Sequence, residues 1–235
     1  MRTIVVTGGA TGIGRATAER FRADGDDVVI TGRRADVLAK TAADVGVRGV
    51  VCDATDPVQV ERLLDELPDK VDVLVNNAGG NTDFGRPDGD LAQLKANWLA
   101  NLEANLISAV LTTTALGPRM TTAVIHLGSI AGARGAGSYG ASKAALAMWN
   151  VDAATELGAQ GVTSNVVAPG FTADTEFFQG RLTDQRRQTL LQATLTKREG
   201  QVEDIAGTIH YLASPAARHL TGQVLHVNGG ALITR

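Results

Sequence analysis

The sequence predicts an α/β protein in which seven parallel strands form a doubly wound sheet with helices on both faces. Short apolar runs alternate with longer helix-like segments, and the runs are apolar throughout, as in strands that are buried on both faces. The strand-like runs are 4–7, 28–31, 49–53, 71–76, 123–127, 163–167 and 223–227. The helix-like segments lie near 13–24, 35–45, 57–67, 90–117, 139–158 and 203–213. In such sheets, ligands bind beyond the carboxyl ends of the strands.

Composition and charge limit the classes of function. The chain has 235 residues, 44% of them apolar, which suits one globular domain over residues 1–235. Its formal net charge of −3 argues against a dedicated nucleic-acid or anionic-membrane binder. A lone cysteine, Cys52, fits a reducing compartment, and neither a signal peptide nor an apolar run of about 18 residues is visible. We therefore expect a cytoplasmic protein that binds neither nucleic acid nor membranes.

A glycine cluster joins the first predicted strand to the first predicted helix. It reads Gly8-Gly9-Ala10-Thr11-Gly12-Ile13-Gly14. Glycines at such a turn let the backbone approach a pyrophosphate, and the helix N-terminus adds N–H groups and a favourable dipole. The spacing differs from the common G-x-G-x-x-G fingerprint, but strand, turn and helix together predict a Rossmann-type dinucleotide site. The expected contacts in this loop are Gly8, Thr11, Gly12, Ile13 and Gly14.

The end of the second predicted strand indicates which dinucleotide binds. The chain reads Thr31-Gly32-Arg33-Arg34 there and lacks the carboxylate that NAD-binding chains usually place nearby to bond the ribose 2′-hydroxyl. A guanidinium instead binds a 2′-phosphate in bidentate fashion. We therefore predict NADP(H) as the cofactor, with Arg33 the favoured contact and Arg34 beside it. The alternative is that both arginines are solvated charges at the start of a helix.

Tyr139 and Lys143 form the chemically most informative pair of the chain. They are four residues apart and lie on the same face of a predicted helix. A lysine ammonium near a phenol favours the phenolate and lowers a pKa that starts at about 10. The pair is therefore a candidate general acid–base catalyst.

Further motifs, in order along the chain, resemble the short-chain dehydrogenase/reductase family in its compact single-domain branch. Besides the glycine loop and Tyr139-x-x-x-Lys143, they are Asp53, Asn76-Asn77-Ala78-Gly79, Trp98 with Asn105, Gly128-Ser129, Pro169-Gly170, and Thr221-Gly222-Gln223 with Asn228-Gly229-Gly230. The match covers the chain nearly from end to end. The resemblance implies an oxidoreductase that moves a hydride between NADP(H) and a small-molecule carbonyl or secondary alcohol.

The resemblance also implies four catalytic residues. Tyr139 would exchange a proton with the substrate oxygen, and Lys143 would lower the tyrosine pKa and bond the nicotinamide ribose. Ser129 would hydrogen-bond the substrate oxygen as charge develops on it, and Asn105 would hold a water that links Lys143 to solvent. Two alternatives stay open: Ser129 as a strand-end hydroxyl that bonds the backbone, and Asn105 as a buried amide that satisfies a neighbouring strand.

The expected cofactor contacts extend beyond the glycine loop. Asp53 resembles an adenine contact, with an Asx-turn at Thr55 as the alternative. Asn77 is expected mainly to fix the sheet edge. Thr172 is the expected carboxamide contact, although Thr175 offers a second hydroxyl and neither matches the family's usual spacing. The remaining contacts implied by the resemblance are Asn77, Ala78, Gly79, Tyr139, Lys143, Pro169 and Gly170.

The connection between Ser129 and Tyr139 departs from the family pattern. Nine residues, 130–138, separate them, and this shortening by about three residues has little entropic consequence. Glycines in the loop let it close the shorter path, but one wall of the substrate pocket must differ. Ser138, directly before the tyrosine, is a rival source of the substrate-bonding hydroxyl, although we expect it to cap the helix instead.

The substrate pocket is expected to be walled by the loop after Ser129, the segment 80–85 and a lid near 172–198. The leading hypothesis is an NADPH-dependent reductase of ketones of the 3-oxoacyl or polyketide type. The alternatives are a dehydrogenase that oxidises an alcohol or sugar with NAD(P), and a nucleotide-binding sensor without chemistry. Arginines of the lid would either receive the phosphate of a carrier or be solvated; they are Arg181, Arg186 and Arg187.

Assembly and metal binding complete the expectations. Alanines on the helix 139–158, together with the resemblance, predict that this helix and the one at 90–117 form a dimer face. The C-terminal strand would extend the dimer to a homotetramer, with a dimer as the alternative. The histidines share no spacing, so we expect no metal site and no catalytic role for them. They are His126, His210, His219 and His226.

Overall fold

One parallel sheet organises the molecule. The structure is a computed structural model that describes residues 1–83, 89–173, 175–178 and 180–234. Within these residues, seven strands pair in the order β3-β2-β1-β4-β5-β6-β7, all of them parallel. The strands are β1 (Thr3–Thr7), β2 (Asp27–Gly32), β3 (Arg48–Val51), β4 (Val71–Asn76), β5 (Met120–Leu127), β6 (Thr163–Pro169) and β7 (Val224–Val227). The predicted doubly wound, Rossmann-type sheet is confirmed.

Helices cover both faces of this sheet. They are α1 (Gly12–Ala23), α2 (Ala35–Val45), α3 (Pro57–Asp65), α4 (Leu91–Leu102), α5 (Ser108–Leu116), α6 (Ala131–Arg134), α7 (Gly137–Gly158), α8 (Asp184–Ala193) and α9 (Val202–Leu212). All six helix-like segments of the sequence are helical, and α6 and α8 are additions to the predicted set. No described helix is long and apolar enough to cross a membrane.

The predicted helix near 90–117 is divided by a π-helical turn. α4 ends at Leu102, the π-helical turn spans Glu103–Ile107, and α5 begins at Ser108. Such turns widen a helix locally and occur frequently at functional sites. Asn105 lies in the middle of this turn and bonds the segment that follows β4. The interruption therefore affects a residue to which the sequence assigns a catalytic role.

Apolar side chains pack on both faces of the sheet, which explains why the strand sequences do not alternate with polar residues. Neighbouring residues of a strand point to opposite faces. Accordingly, Ile4 and Val6 belong to one core cluster and Val5 to the other, and all three are fully buried. The first cluster includes Phe21 of α1 and Ile209 of α9. The second is completed by residues of α3, α5 and α7. The core thus holds the sheet rigidly between two helical layers.

The strand order creates a crevice at the carboxyl edge of the sheet. β1 lies between β2 and β4, so the chain continues from β1 toward one edge and later returns to the other side of β1. Ligands of doubly wound sheets bind at such a reversal. The pairs Thr7↔Asn76 and Asn76↔His126 bring the ends of β1, β4 and β5 to the same level. The glycine loop, the segment after β4 and Ser129 all follow these ends.

Candidate active site

A cleft of about 1270 Å³ opens at this carboxyl edge. Nearly all site residues predicted from the sequence line it. They are Gly8, Thr11, Gly12, Ile13, Arg33, Arg34, Asp53, Asn77, Ala78, Gly79, Ser129, Tyr139, Lys143, Pro169, Gly170 and Thr172. Two predicted residues, Gly14 and Asn105, do not line the cleft and lie behind its wall.

The glycine loop packs closely against the segment that follows β4. Gly8 has a positive φ of 63°, and a Cβ on Gly14 would collide with the carbonyl oxygen of Gly8. Asn77 Nδ2 donates hydrogen bonds to the carbonyl oxygens of Thr7, at 3.0 Å, and of Gly8, at 2.9 Å. Asn77 therefore holds the loop at the sheet edge, and Gly14 permits this close packing, while its cofactor contact stays a prediction.

The start of α1 is suited to an anion. Thr11 is its N-cap residue, but the threonine side chain makes no capping hydrogen bond, and the first turn contains no acidic residue. The first N–H groups of a helix have no partner within the helix and carry the positive end of its dipole. This end of the cleft therefore fits the pyrophosphate of a dinucleotide.

The two arginines at the end of β2 differ in their partners. Arg34 forms an ion pair with Glu176, which belongs to the segment that follows β6; the distance between Nη2 and Oε2 is 2.7 Å. Arg33 forms no ion pair with any residue that the structure describes. Nearby, Asp53 Oδ1 accepts hydrogen bonds from the backbone N and Oγ1 of Thr55, at 3.0 and 2.8 Å. The Asx-turn alternative is therefore realised, in a residue that also lines the cleft.

Ser129 and Tyr139 line the same cleft despite their short connection. The tyrosine is 6% exposed, and Ser129 Oγ accepts a hydrogen bond from the backbone N of Ala131 at 3.1 Å, so the strand-end alternative for this hydroxyl is realised. Burial raises the pKa of Tyr139 to about 12, and the nearby Ser129 hydroxyl opposes this rise. The ring of Phe177 lies 5.4 Å from the tyrosine ring, measured between centroids. The phenol is therefore protonated at neutral pH and lies beside a hydroxyl under an aromatic side chain.

Ser138 does not cap the catalytic helix. Ala136 is the N-cap residue of α7 and provides no capping side chain, so the predicted capping role of Ser138 is wrong. Its Oγ instead donates a hydrogen bond shared between the two carboxylate oxygens of Asp83, at 2.7 and 2.9 Å. Because this hydroxyl is committed to Asp83, Ser129 is the serine that is positioned beside the phenol.

Lys143 is buried and is held by the end of β5. The residue is 5% exposed, and its Nζ donates a hydrogen bond to the carbonyl oxygen of Leu127 at 2.7 Å. Burial lowers the pKa of Lys143 to about 7. The expected lowering of the Tyr139 pKa by Lys143 is not found in this structure, because burial of the phenol dominates and raises that pKa. Near pH 7 the lysine is divided between its cationic and neutral forms.

Asn105 braces the segment after β4 from the π-helical turn. Its Oδ1 accepts a hydrogen bond from the backbone N of Gly80 at 3.0 Å, and its Nδ2 donates to the carbonyl oxygens of Gly80 and Asn101, at 2.8 and 3.0 Å. A Cβ on Gly79 would lie only 2.6 Å from Asn105 Oδ1, which explains the glycine. Asn105 is thus a buried amide, as the alternative held, but it bonds the segment after β4 and helix α4 rather than a strand. The proton relay through Asn105 stays a prediction.

Both threonines after the Pro-Gly motif line the cleft. Thr172 Oγ1 lies 3.4 Å from the carbonyl oxygen of Gly170, and Thr175 Oγ1 lies 3.4 Å from that of Thr172. Asp174, between them, is outside the described residues. Both hydroxyls make long bonds to the backbone within the cleft, and Thr172 as the carboxamide contact stays a prediction.

Apolar and basic side chains beyond the predicted contacts also line the cleft. Arg187 does not line it and instead donates from Nη2 to Glu199 Oε2 at 2.8 Å. Of the expected wall at 80–85, Phe84 and Gly85 lie outside the described residues. These apolar and basic lining residues include Phe171, Phe177, Phe178, Arg134, Arg181, Arg186 and Leu190.

Sequence reasoning missed two lining residues that are close in space to predicted ones. Glu176 lies far along the chain from Arg34, so nothing local indicated their ion pair. Cys52 immediately precedes Asp53 at the end of a predicted strand, which is a usable signal. Burial raises the pKa of the Cys52 thiol to about 11, so the thiol is protonated at neutral pH.

A buried polar network between the sheet and helices α5 and α7 was also missed. The ring nitrogens of His126 lie 3.1 Å from Asn76 Nδ2 and 3.2 Å from Ser164 Oγ, and Ser164 donates to Asn150 at 2.8 Å. Burial, with a smaller contribution from the charge of Lys143, lowers the pKa of His126 to about 3. The imidazole is therefore neutral and structural. Its partners lie on different strands and helices, so sequence spacing carries no sign of the network.

Known proteins share this fold. A family model described as enoyl-(acyl carrier protein) reductase matches residues 8–231. A solved short-chain type dehydrogenase/reductase from Mycobacterium ulcerans is similar with a TM-score of 0.89, at 27% identity, over 98% of this chain and 89% of that one. The chain belongs to the short-chain dehydrogenase/reductase family. It is therefore an oxidoreductase of a family that uses NAD(H) or NADP(H).

Two curated relatives of this short-chain dehydrogenase/reductase are both named as 3-oxoacyl-(acyl-carrier-protein) reductases. The 3-oxoacyl-(acyl-carrier-protein) reductase FabG of Escherichia coli is 34% identical, over 96% of this chain and 95% of the relative. The 3-oxoacyl-(acyl-carrier-protein) reductase MabA of Mycobacterium bovis is 35% identical, over 97% of this chain and 92% of the relative. The similarity therefore extends over almost the whole length of both chains.

The buried lysine predicts a specific pH dependence of stability. An ordinary lysine pKa is 10.5, whereas that of Lys143 is about 7 in the folded protein. Between these values the unfolded chain binds one more proton, so this residue makes stability rise with pH. We therefore expect the difference in free energy of unfolding, wild type minus Lys143→Met, to rise between pH 7 and 9. The slope of this difference should approach about 1.4 kcal/mol per pH unit.

Urea unfolding of both proteins at several pH values measures this difference, in which all other titrating groups cancel. Lys40→Met, which replaces an exposed lysine of α2, is the matched control. Parallel stability curves for the wild type and Lys143→Met would contradict the lowered pKa.

Proposed function

We propose that this protein is an NADPH-dependent reductase of ketones of the 3-oxoacyl or polyketide type. The observation that carries the proposal is that Ser129, Tyr139 and Lys143, the last one helical turn beyond the tyrosine on α7, line the same cleft as the glycine loop. The names of the two relatives support the substrate class, since both are 3-oxoacyl reductases at 34% and 35% identity.

The cleft has residues suited to each part of a dinucleotide. The uncapped start of α1 and the glycine loop would hold the pyrophosphate. Asp53 would contact the adenine, and Lys143 would bond the nicotinamide ribose. Gly79 and Pro169 line the cleft between these points. When bound, the cofactor supplies the hydride, and the protein contributes orientation and electrostatics.

Tyr139 is proposed as the proton donor in ketone reduction. Its pKa of about 12 keeps the phenol protonated at neutral pH, ready to donate to the carbonyl oxygen. Ser129 would donate a hydrogen bond to the same oxygen as charge develops there. The cationic fraction of Lys143 would then stabilise the phenolate that remains. Asn105 would act further back, by holding a water that returns a proton from solvent.

The two enzymatic alternatives, ketone reduction and alcohol oxidation, differ in the direction of hydride transfer. Oxidation of an alcohol needs the phenolate at the outset, and the raised pKa of Tyr139 disfavours that form. A sensor without chemistry would not need Ser129, Tyr139 and Lys143 together, yet all three line one cleft. A panel of 3-oxoacyl and 2-enoyl thioesters with NADPH, and of alcohols with NADP⁺ or NAD⁺, separates the reactions.

The segment near 172–198 is proposed as a substrate lid, and the protein as a homotetramer in the cytoplasm. Glu176 and Phe177 of this segment contact two residues that line the cleft, Arg34 and Tyr139. Exposed apolar residues on α4 and α7 support the dimer face expected from the sequence. They are Leu91, Leu94, Trp98, Leu99, Met148 and Val151.

NADPH selectivity is proposed to depend mainly on Arg33. Arg34 is engaged by Glu176, whereas Arg33 lines the cleft without an ion pair among the described residues. We expect Arg33→Ala to weaken NADPH binding about 10- to 100-fold and NADH binding less than about 3-fold, because only the phosphate bond is lost. Arg34→Ala is the matched variant and should have the smaller effect on NADPH. Equal losses for the two cofactors in fluorescence titrations would refute the phosphate role of Arg33.

The proton-donor role is tested by Tyr139→Phe. Removal of the phenolic hydroxyl should lower kcat for ketone reduction by about 10²- to 10⁴-fold, the usual contribution of a general acid. NADPH affinity should stay within about 2-fold, since the ring is kept. Tyr211→Phe, at a tyrosine that is 44% exposed on α9, is the control and should leave both quantities unchanged. Undiminished turnover by Tyr139→Phe would show that another group donates the proton.

A further inference from the structure

The start of the catalytic helix α7 has no side-chain cap at its N-cap residue. Only Gly135 and Ala136 separate α6 from α7, and Ala136 caps the helix without a side-chain bond. Gly135 and Gly137 both have positive φ angles, of 83° and 57°. Glycine permits such a bend but does not stabilise it. The short connection from Ser129 therefore enters α7 through glycines, whose backbone is the most flexible of any residue.

A carboxylate from another segment is bound to this helix start. Asp83 accepts the hydrogen bond of Ser138 on both carboxylate oxygens, and its Oδ1 also accepts from Asn101 Nδ2 at 2.8 Å. Asn101 Nδ2 also donates a second hydrogen bond to Ser138 Oγ, with 2.8 Å between the two atoms. Asn101 is fully buried and Ser138 is 4% exposed. A negative charge beside the first turn of a helix is also favoured by the helix dipole.

This cluster is continuous with the bonds of Asn105. Asn101 Oδ1 accepts from the backbone N of Thr82 at 3.1 Å, and the carbonyl oxygen of Asn101 accepts from Asn105 Nδ2 at 3.0 Å. The segment after β4, the end of α4 and the start of α7 are thereby joined through polar side chains. Hydrogen bonds that satisfy every member rigidify such a cluster.

Tyr139 directly follows Ser138, so its position depends on this cluster. Lys143, one turn further along α7, is fixed separately by its bond to the carbonyl oxygen of Leu127. The tyrosine lies toward the end of the helix that Asp83 holds. A displacement of about 1 Å at a reacting group is enough to cost roughly 100-fold in rate.

We propose that Asp83 is a positioning residue that fixes Tyr139 through Ser138 and Asn101. It supplies from a separate segment the restraint that the shortened Ser129–Tyr139 connection and the uncapped start of α7 do not provide. The inference rests on the proposed function for its kinetic readout.

The test compares Asp83→Ala, Asp83→Asn and Ser138→Ala in the full chain, with NADPH and a 3-oxoacyl thioester. Asp83→Ala should lower kcat about 10- to 100-fold, with NADPH affinity within about 2-fold of the wild type. The primary deuterium isotope effect on kcat should increase, because hydride and proton transfer become slower relative to product release. Asp83→Asn keeps a carbonyl acceptor for Ser138 and should recover most of the lost rate.

A readout that does not need activity accompanies the kinetics. Hydrogen exchange should accelerate at the amides of residues 137–142 in Asp83→Ala and stay unchanged at 150–157. The control is Asp26→Ala, which removes a carboxylate that binds Arg2 at the opposite edge of the sheet. It should lower the Tm without changing the isotope effect or exchange at 137–142.

The outcomes separate this inference from the proposed function. Wild-type kcat, isotope effect and exchange in Asp83→Ala would overturn the inference, while an inactive Tyr139→Phe would leave the function standing. Faster exchange at 137–142 in a protein that reduces no ketone would support the structural role of Asp83 and overturn the function. If Asp83→Ala does not fold, Ser138→Ala decides, and wild-type kcat and isotope effect in that variant would overturn the inference.

Discussion

The burial of Lys143 against the end of β5 is the interaction on which the rest of the site depends. Its Nζ donates a hydrogen bond to the carbonyl oxygen of Leu127 at 2.7 Å. This bond joins the N-terminal half of α7 to β5, the strand that precedes Ser129. Tyr139, one turn earlier on the same helix, thereby lies in the same cleft as Ser129. Burial of an amine opposes its charged form, so the arrangement that orders the site also lowers the pKa of the lysine to about 7.

Side-chain amides form the frame around this pair. Asn77 holds the glycine loop, Asn105 holds Gly80, and Asn101 joins Asp83 to the start of α7. An amide both donates and accepts, so a single asparagine can satisfy the backbone of one segment and a side chain of another. The cofactor end and the catalytic end of the cleft are therefore connected behind its wall as well as through the sheet.

Sequence reasoning succeeded where structure is determined locally. Apolar runs such as 71–76, the glycine turn after β1 and the spacing of Tyr139 and Lys143 each depend on a few neighbouring residues, and the structure places them as expected. It failed where partners are distant in the chain. The capping role of Ser138 was wrong because Asp83 competes for its hydroxyl, and the direction of the Tyr139 pKa shift was wrong because burial is a property of the packed protein. The π-helical turn around Asn105 likewise has no local signal.

Hydride transfer to a ketone is the central claim, and isotope transfer measures it most directly. The wild-type protein would be mixed with NADPH in which both hydrogens at C4 of the nicotinamide are deuterium, together with a 3-oxoacyl thioester, and the product analysed by mass spectrometry. The account predicts a 3-hydroxyacyl thioester with deuterium on the carbon that bears the new hydroxyl. Absence of this product, or a product without deuterium, would contradict it.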